Sequence, residues 1–136
     1  MSNPAQRIIE TVSSWDGIEA RPHRFGGVEF KLGSVEIGHI HPSMGLVDIP
    51  YTRRTREVLV AEGEADEHHI LPESGWISLW MRGAQDVDQA LRLYRLSYLH
   101  KYYRRSHAVP PAELERLHFS AAVNDTLRYH HHSEAS

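Results

Sequence analysis

The chain has 136 residues, of which 40% are hydrophobic and 24% charged, with a net charge of -3 when histidine is neutral. That length suits one domain with a single core, and the charge balance excludes the strongly basic face that nucleic acid selects. The absence of cysteine excludes disulfides and thiolate chemistry. No apolar run approaches the ~20 residues needed to cross a bilayer, and the first residues lack a basic-then-apolar signal pattern. The expectation is a cytoplasmic protein with no nucleic-acid or membrane partner, whose oligomeric state is not legible. Eleven histidines make its charge sensitive to pH around 5–6.

Taken in order, Asn3-Pro4-Ala5-Gln6 reads as a helix start, with asparagine as cap, proline at the first position and Gln6 completing a capping box. Ile8, Ile9, Val12 and Trp15 fall on one face of that helix, and Gly17 stops it. Glu19 to Phe25 reads as an extended edge segment. Val28, Phe30 and Leu32 alternate with Glu29 and Lys31, the period of a half-buried strand, and Gly33-Ser34 is a hairpin signal. The next strand puts Val35, Ile37, His39 and His41 on one face, so both histidines continue an apolar side unless Gly38 marks a bulge. Leu46 to Ile49 is a short strand.

Thr52 caps a helix running to about Glu62, Glu67 to Leu71 is a strand, and Pro72 to Gly75 is a turn. Trp76 to Met81 is a strand apolar on both faces, hence internal to the sheet. Asp86 caps the longest helix, with Gln89 placed for a capping box and Val87, Leu91, Tyr94, Tyr98 and Tyr102 as its stripe. One more helix follows from Ala112, then a polar tail containing His130, His131 and His132, to which only adventitious metal binding is ascribed. The fold class is α+β: an antiparallel sheet of about five to six strands with helices packed mainly on one face. The expected organisation is residues 1–20 as an N-terminal helix, 21–105 as the core and 106–136 as a C-terminal extension.

Several constellations carry chemistry. His39 and His41, two apart on a strand, point the same way. With Asp48 and one of His68 and His69 they can form a divalent metal site with an open position; the alternative is that these are sheet histidines hydrogen-bonded to their neighbours. A partly buried imidazole is also suited to acid–base work near neutral pH. Arg53-Arg54-Thr55-Arg56 lies in the first turn of a helix, where the macrodipole disfavours positive charge. That misplacement suggests that an arginine, with the free helix N–H groups, receives an anionic or enolate group; the alternative is pairing of Arg53 with Asp48. Trp76, Ser78 and Trp80 are candidates for a flat aromatic wall, or for core. No glycine-rich phosphate loop is present, so no dinucleotide cofactor is indicated.

Together, Gly38-His39-Ile40-His41, Asp48-Ile49-Pro50, Arg53-Arg54, the run His68-His69-Ile70-Leu71-Pro72-Glu73-Ser74-Gly75-Trp76 and Leu93-Tyr94-Arg95-Leu96-Ser97-Tyr98 resemble the luciferase-domain family. The likeness spans about Arg21 to Arg104. Its members are small bacterial and fungal domains, named after a fungal luciferase that oxidises a hydroxylated styryl-pyrone with molecular oxygen. The resemblance implies a pocket containing His39, His41 and His69 as catalytic candidates, with Asp48, Arg53, Ser74 and Trp76 as substrate-binding ones. It implies an oxidoreductase of monooxygenase type that needs no flavin and whose partner is a small planar organic molecule. The alternatives are a binding or regulatory module without turnover, and a metal-dependent enzyme built on the histidine cluster.

Overall fold

The computed structural model describes residues 3–106 and 108–127; the polar tail with His130, His131 and His132 lies outside them. Helix α1 (Pro4–Ser13) begins where Asn3 accepts a hydrogen bond from the Gln6 N–H, with Pro4 at its first position. Strands β1 (Ile18–His23), β2 (Gly27–Leu32), β3 (Val35–His41) and β4 (Leu46–Pro50) follow as an antiparallel meander. Helix α2 (Arg53–Ala61) is capped by Thr52, whose hydroxyl accepts from the Thr55 N–H. After it come the two-residue β5 (Asp66–Glu67) and β6 (Trp76–Trp80), then the long helix α3 (Val87–Tyr102) and the short helices α4 (Pro111–Glu115) and α5 (Ala121–Asp125). The six strands order as β1-β2-β3-β4-β6-β5, all pairings antiparallel. This is the expected α+β architecture.

One side of the sheet is closed by helices. Phe30, Ile37, Ile40, Val47, Ile49 and Ile77 form a single apolar cluster with Ile8 and Val12 of α1, Leu59 of α2, Leu93, Tyr94 and Leu96 of α3, and Leu114 and Val123 of the last two helices. The Tyr94 ring meets Phe30 edge-on at 5.4 Å, and its hydroxyl donates to the His39 carbonyl at 2.7 Å. Ser97 donates to the Ile37 carbonyl, and Lys101 to the Pro50 carbonyl and Ser97, so α3 is pinned across β3 and β4 by polar contacts as well as by burial.

Several expectations are corrected. The register of β2 against β3 slips between Phe30 and Lys31: Phe30 faces Gly38 while Lys31 faces Glu36, leaving Ile37 as an extra residue. This bulge breaks the period of two. Ile37 and Ile40 both reach the helix-covered core, and His39 and His41 lie on the other face rather than continuing the Ile37 side. Gly38 permits it, with φ of +152° and Tyr94 so close that an added Cβ would stand 2.7 Å from its ring. The segment expected as a strand over Glu67 to Leu71 pairs only at Asp66–Glu67, because His68 turns the chain away by accepting the N–H groups of Ile70 and Leu71. Asp86 accepts the Arg82 N–H rather than capping α3, and Gln89 reaches Glu64. The single C-terminal helix is two, separated at His118, whose φ of 59° no helix accommodates.

Candidate functional site

The face opposite the helices is polar where a sheet is ordinarily apolar or solvated. A continuous cross-strand row runs Arg21, Glu29, His39, Asp48, Ser78 and Asp66, one residue from each strand. At its centre Asp48 is 1% exposed. A buried carboxylate is tolerable only when fully paired, and its partners converge from two strands and a loop. Ser78 Oγ donates to Oδ1 at 2.7 Å, and His39 Nε2 lies 3.2 Å from Oδ2. His68 Nε2 stands 3.6 Å from Oδ1 and His69 Nε2 3.5 Å from Oδ2. The other His39 nitrogen, Nδ1, is 2.6 Å from Glu36 Oε2. Residues three apart in a regular strand point to opposite faces; the bulge at Ile37 is what lets Glu36 and His39 meet.

These contacts set the charges. Burial alone would lower the pKa of His39, but its bonds to Asp48 and Glu36 outweigh that and raise it to about 9. His39 is therefore an imidazolium donating to a carboxylate at each end. Burial likewise acts to raise Asp48, but the bonds from His39 and Ser78 hold it below the usual carboxylate range. His68 is pushed down by burial. Its Nδ1 accepts the Ile70 and Leu71 N–H groups at 3.1 and 3.0 Å, so its single proton sits on Nε2, toward Asp48. His41 is pushed down by burial and then by cationic His39. Its Nδ1 is buried and has no hydrogen-bond partner among the described residues.

Rings wall the cluster. His23 stacks on His39 at 4.2 Å and 25°, and His41 stands edge-on to His39 at 5.2 Å. Trp76 lies 5.2 Å from His39 and 5.9 Å from His68, and Trp80 lies 5.9 Å from His69. Two triads hold ligand atoms within 4.8 Å of one another: His23, His39 and His41, and Asp48, His68 and His69. A cleft of about 300 Å³ lies elsewhere, lined by residues including Pro4, Pro42, Met81 and Arg82, away from this chemistry.

Of the residues singled out from the sequence, His39, His41, Asp48, His69 and Trp76 come together. Arg53 does not join them: it is exposed at the start of α2, and none of the cluster's hydrogen bonds or ion pairs among the described residues involves it. The buried arginine of that run is Arg56, 8% exposed and 4.0 Å from Glu67 Oε2. Ser74 braces its own loop, donating to the Leu71 carbonyl and accepting the Trp76 N–H. Sequence reasoning missed His23, Glu29 and Glu36. Glu29 had a signal, since it alternates away from Val28 and Phe30 and so had to face the side opposite the core. His23 and Glu36 had none, because each joins the site through the pairing register.

No curated protein and no solved structure matches the chain. Among the described residues no helix is long and apolar enough to cross a membrane. The stretch 34–97, from the β2–β3 turn to the middle of α3, does match a family model, that of the Luciferase domain. It takes in the bulge, Asp48, the His68–His69 loop and the β6 wall. Over that stretch, a little under half of its length, the chain is similar to the luciferase-domain family.

Proposed function

We propose that the polar face binds a small planar organic molecule with an acidic enol or phenol hydroxyl, and that His69 removes that proton in a luciferase-like, flavin-independent oxidation by molecular oxygen. The observation that carries this reading is the Asp48–His69 pair. Asp48 is buried, whereas the His69 side chain is 30% exposed with Nε2 turned to the carboxylate. With the Nε2 proton directed at Asp48, Nδ1 is left as an acceptor, and the carboxylate steadies the cation formed when it takes a proton. Trp76 and Trp80, beside the histidines, supply flat apolar surface for an aromatic ring.

The charge balance favours a ligand that arrives neutral. Glu29, Glu36 and Asp48 face the imidazolium of His39, and Arg53 is not within the cluster. The enolate is then made in place, next to His39, rather than captured from solution.

A thermal-shift panel of hydroxypyrones and hydroxylated styryl compounds tests this on metal-free wild type, His69→Ala and Trp76→Ala. Ligand at 100 times its Kd stabilises by about 2.7 kcal/mol, a rise of several degrees. Wild type is expected to show that rise with at least one compound, both variants to lose most of it, and oxygen uptake to accompany binding. Equal shifts in all three proteins would remove the reading; binding without oxygen uptake would reduce it to a binding module.

A further inference from the structure

We infer that His23, His39 and His41 form a binding site for a single divalent first-row transition-metal ion, with Glu29 and Glu36 as the carboxylates that orient two of the ligands. The site goes beyond the ligand reading and adjoins the Asp48–His69 pair through the His39–Asp48 contact.

A metal-binding imidazole has two needs. One ring nitrogen must present a lone pair, and the other must carry its proton to a fixed acceptor, most often a carboxylate or carbonyl. His23 Nδ1 is 3.0 Å from Glu29 Oε1, and His39 Nδ1 is 2.6 Å from Glu36 Oε2. Both pairs fix the proton on Nδ1; Nε2 of His23 is then the coordinating atom, and Nε2 of His39 becomes one when an ion displaces its proton and its 3.2 Å contact with Asp48. His41 supplies the third imidazole, and its buried Nδ1, lacking a partner among the described residues, is the kind of group that ordinarily has one. The three offer ligand atoms within 4.8 Å of one another.

The backbone makes room for them. His23 pairs with Gly27 across β1 and β2, and a Cβ on Gly27 would stand 3.0 Å from His41 Nδ1. Glycine there keeps the space between the two histidines free of a side chain.

The neighbouring triad is the weaker candidate. His68 Nδ1 is committed to two backbone N–H groups, so its Nε2 bears the proton and has no lone pair to give. Asp48 is already engaged by Ser78 and His39. Capture of an ion releases the His39 Nε2 proton to solvent, replaces the bond from that nitrogen to Asp48, and leaves Asp48 with Ser78, His68 and His69. It also requires a small tilt. The lone pairs of rings stacked at 25° do not converge, and His23, with 23% of its side chain exposed against 11% for His39, is the ring with room to turn. Three imidazoles with open positions suit Zn²⁺, Fe²⁺ or Co²⁺.

Co²⁺ and Zn²⁺ serve as probes on the full-length chain with alanine at His130, His131 and His132, which removes a second source of binding. Calorimetry and Co²⁺ visible absorption are expected to show about one ion per chain, in a spectrum of nitrogen-rich low coordination. His23→Ala and His41→Ala abolish it, while Glu29→Gln and Glu36→Gln each weaken it about 10–100-fold. His68→Ala leaves it unchanged. Circular dichroism and unfolding midpoints identify folded variants, and Glu29→Gln keeps the test alive if a histidine variant fails to fold. Absence of stoichiometric binding, or binding that survives His23→Ala but not His68→Ala, overturns the assignment. Organic-ligand binding by the metal-free protein reports on the acid–base reading separately.

Discussion

The two faces of the sheet solve opposite problems with the same strands. Toward α1 and α3 the strands present Phe30, Ile37, Ile40, Val47, Ile49 and Ile77, each with no solvent exposure, and water is excluded by ordinary apolar packing. Away from the helices the adjacent positions carry Glu29, His39, His41, Asp48 and Ser78, with Asp48 and Ser78 just as inaccessible. The first face stabilises by removing apolar area from water. The second contributes little net stability, because desolvation of its charges cancels most of their attraction. A row of buried charge that does little for folding breaks a local rule, and the proposed chemistry or binding would account for it. Gly38 separates the two, since the extra residue beside it sends Ile37 and Ile40 into the core and turns Glu36 toward His39.

The largest effect is therefore expected where both faces depend on one residue. Gly38→Ala forces a side chain into a φ of +152° and drives a methyl group to 2.7 Å from Tyr94. Backbone strain of about 1–3 kcal/mol adds to a similar overpacking cost, about 4 kcal/mol together. Urea unfolding measures it, and a loss under 1 kcal/mol would show that the bulge is not what holds the faces apart. Next, Asp48→Asn breaks the polar face alone. It leaves cationic His39 with Glu36 as its one carboxylate and removes the charge shared by three histidines, for a loss of about 3 kcal/mol with an unchanged denaturant slope. A neutral outcome would mean that the cluster is solvated rather than buried.

How far the sequence showed this depends on the range of the interactions involved. Caps at Asn3 and Thr52 were legible because an N-cap is decided within three residues. The apolar face was legible from the alternation in β2. The position of His39 and His41 was not, because a glycine in a strand signals a bulge without saying which neighbour is the extra one. Glu36 pairs with Lys31 across β2 and β3, and it meets His39 only through that single residue of slip. Asp48 was recognised as a candidate beside His39, His41 and one of His68 and His69, with Arg53 as the alternative partner. The true partners, 9 to 30 residues away in sequence, come together through the β3–β4 and β4–β6 registers. The exposed arginine run broke a local rule without joining the site, and the buried Arg56 has a pairing role that helix periodicity did not reveal.

The smallest effect is also the one that compares the faces most directly, through two buried imidazoles of opposite sign. His39 on the polar face has its pKa raised to about 9, the bonds to Asp48 and Glu36 outweighing burial. His100 on α3 is pulled down to about 4 by burial and by Lys101. A raised folded-state value stabilises fully below the unfolded value of 6.5 and is lost as pH climbs to 9; a lowered one costs stability as pH falls from 6.5 to 4. In chelator-treated protein, wild type minus His39→Gln should therefore lose about 2 kcal/mol between pH 6.5 and 9, after discounting for solvent screening. Wild type minus His100→Gln should change only on the acid side. Taking differences removes Lys101, whose pKa of about 8, lowered by burial, adds an opposite alkaline trend. A flat His39 difference across that range would mean that His39 is neutral, and the polar face would then hold two carboxylates without the cation that makes their burial tolerable.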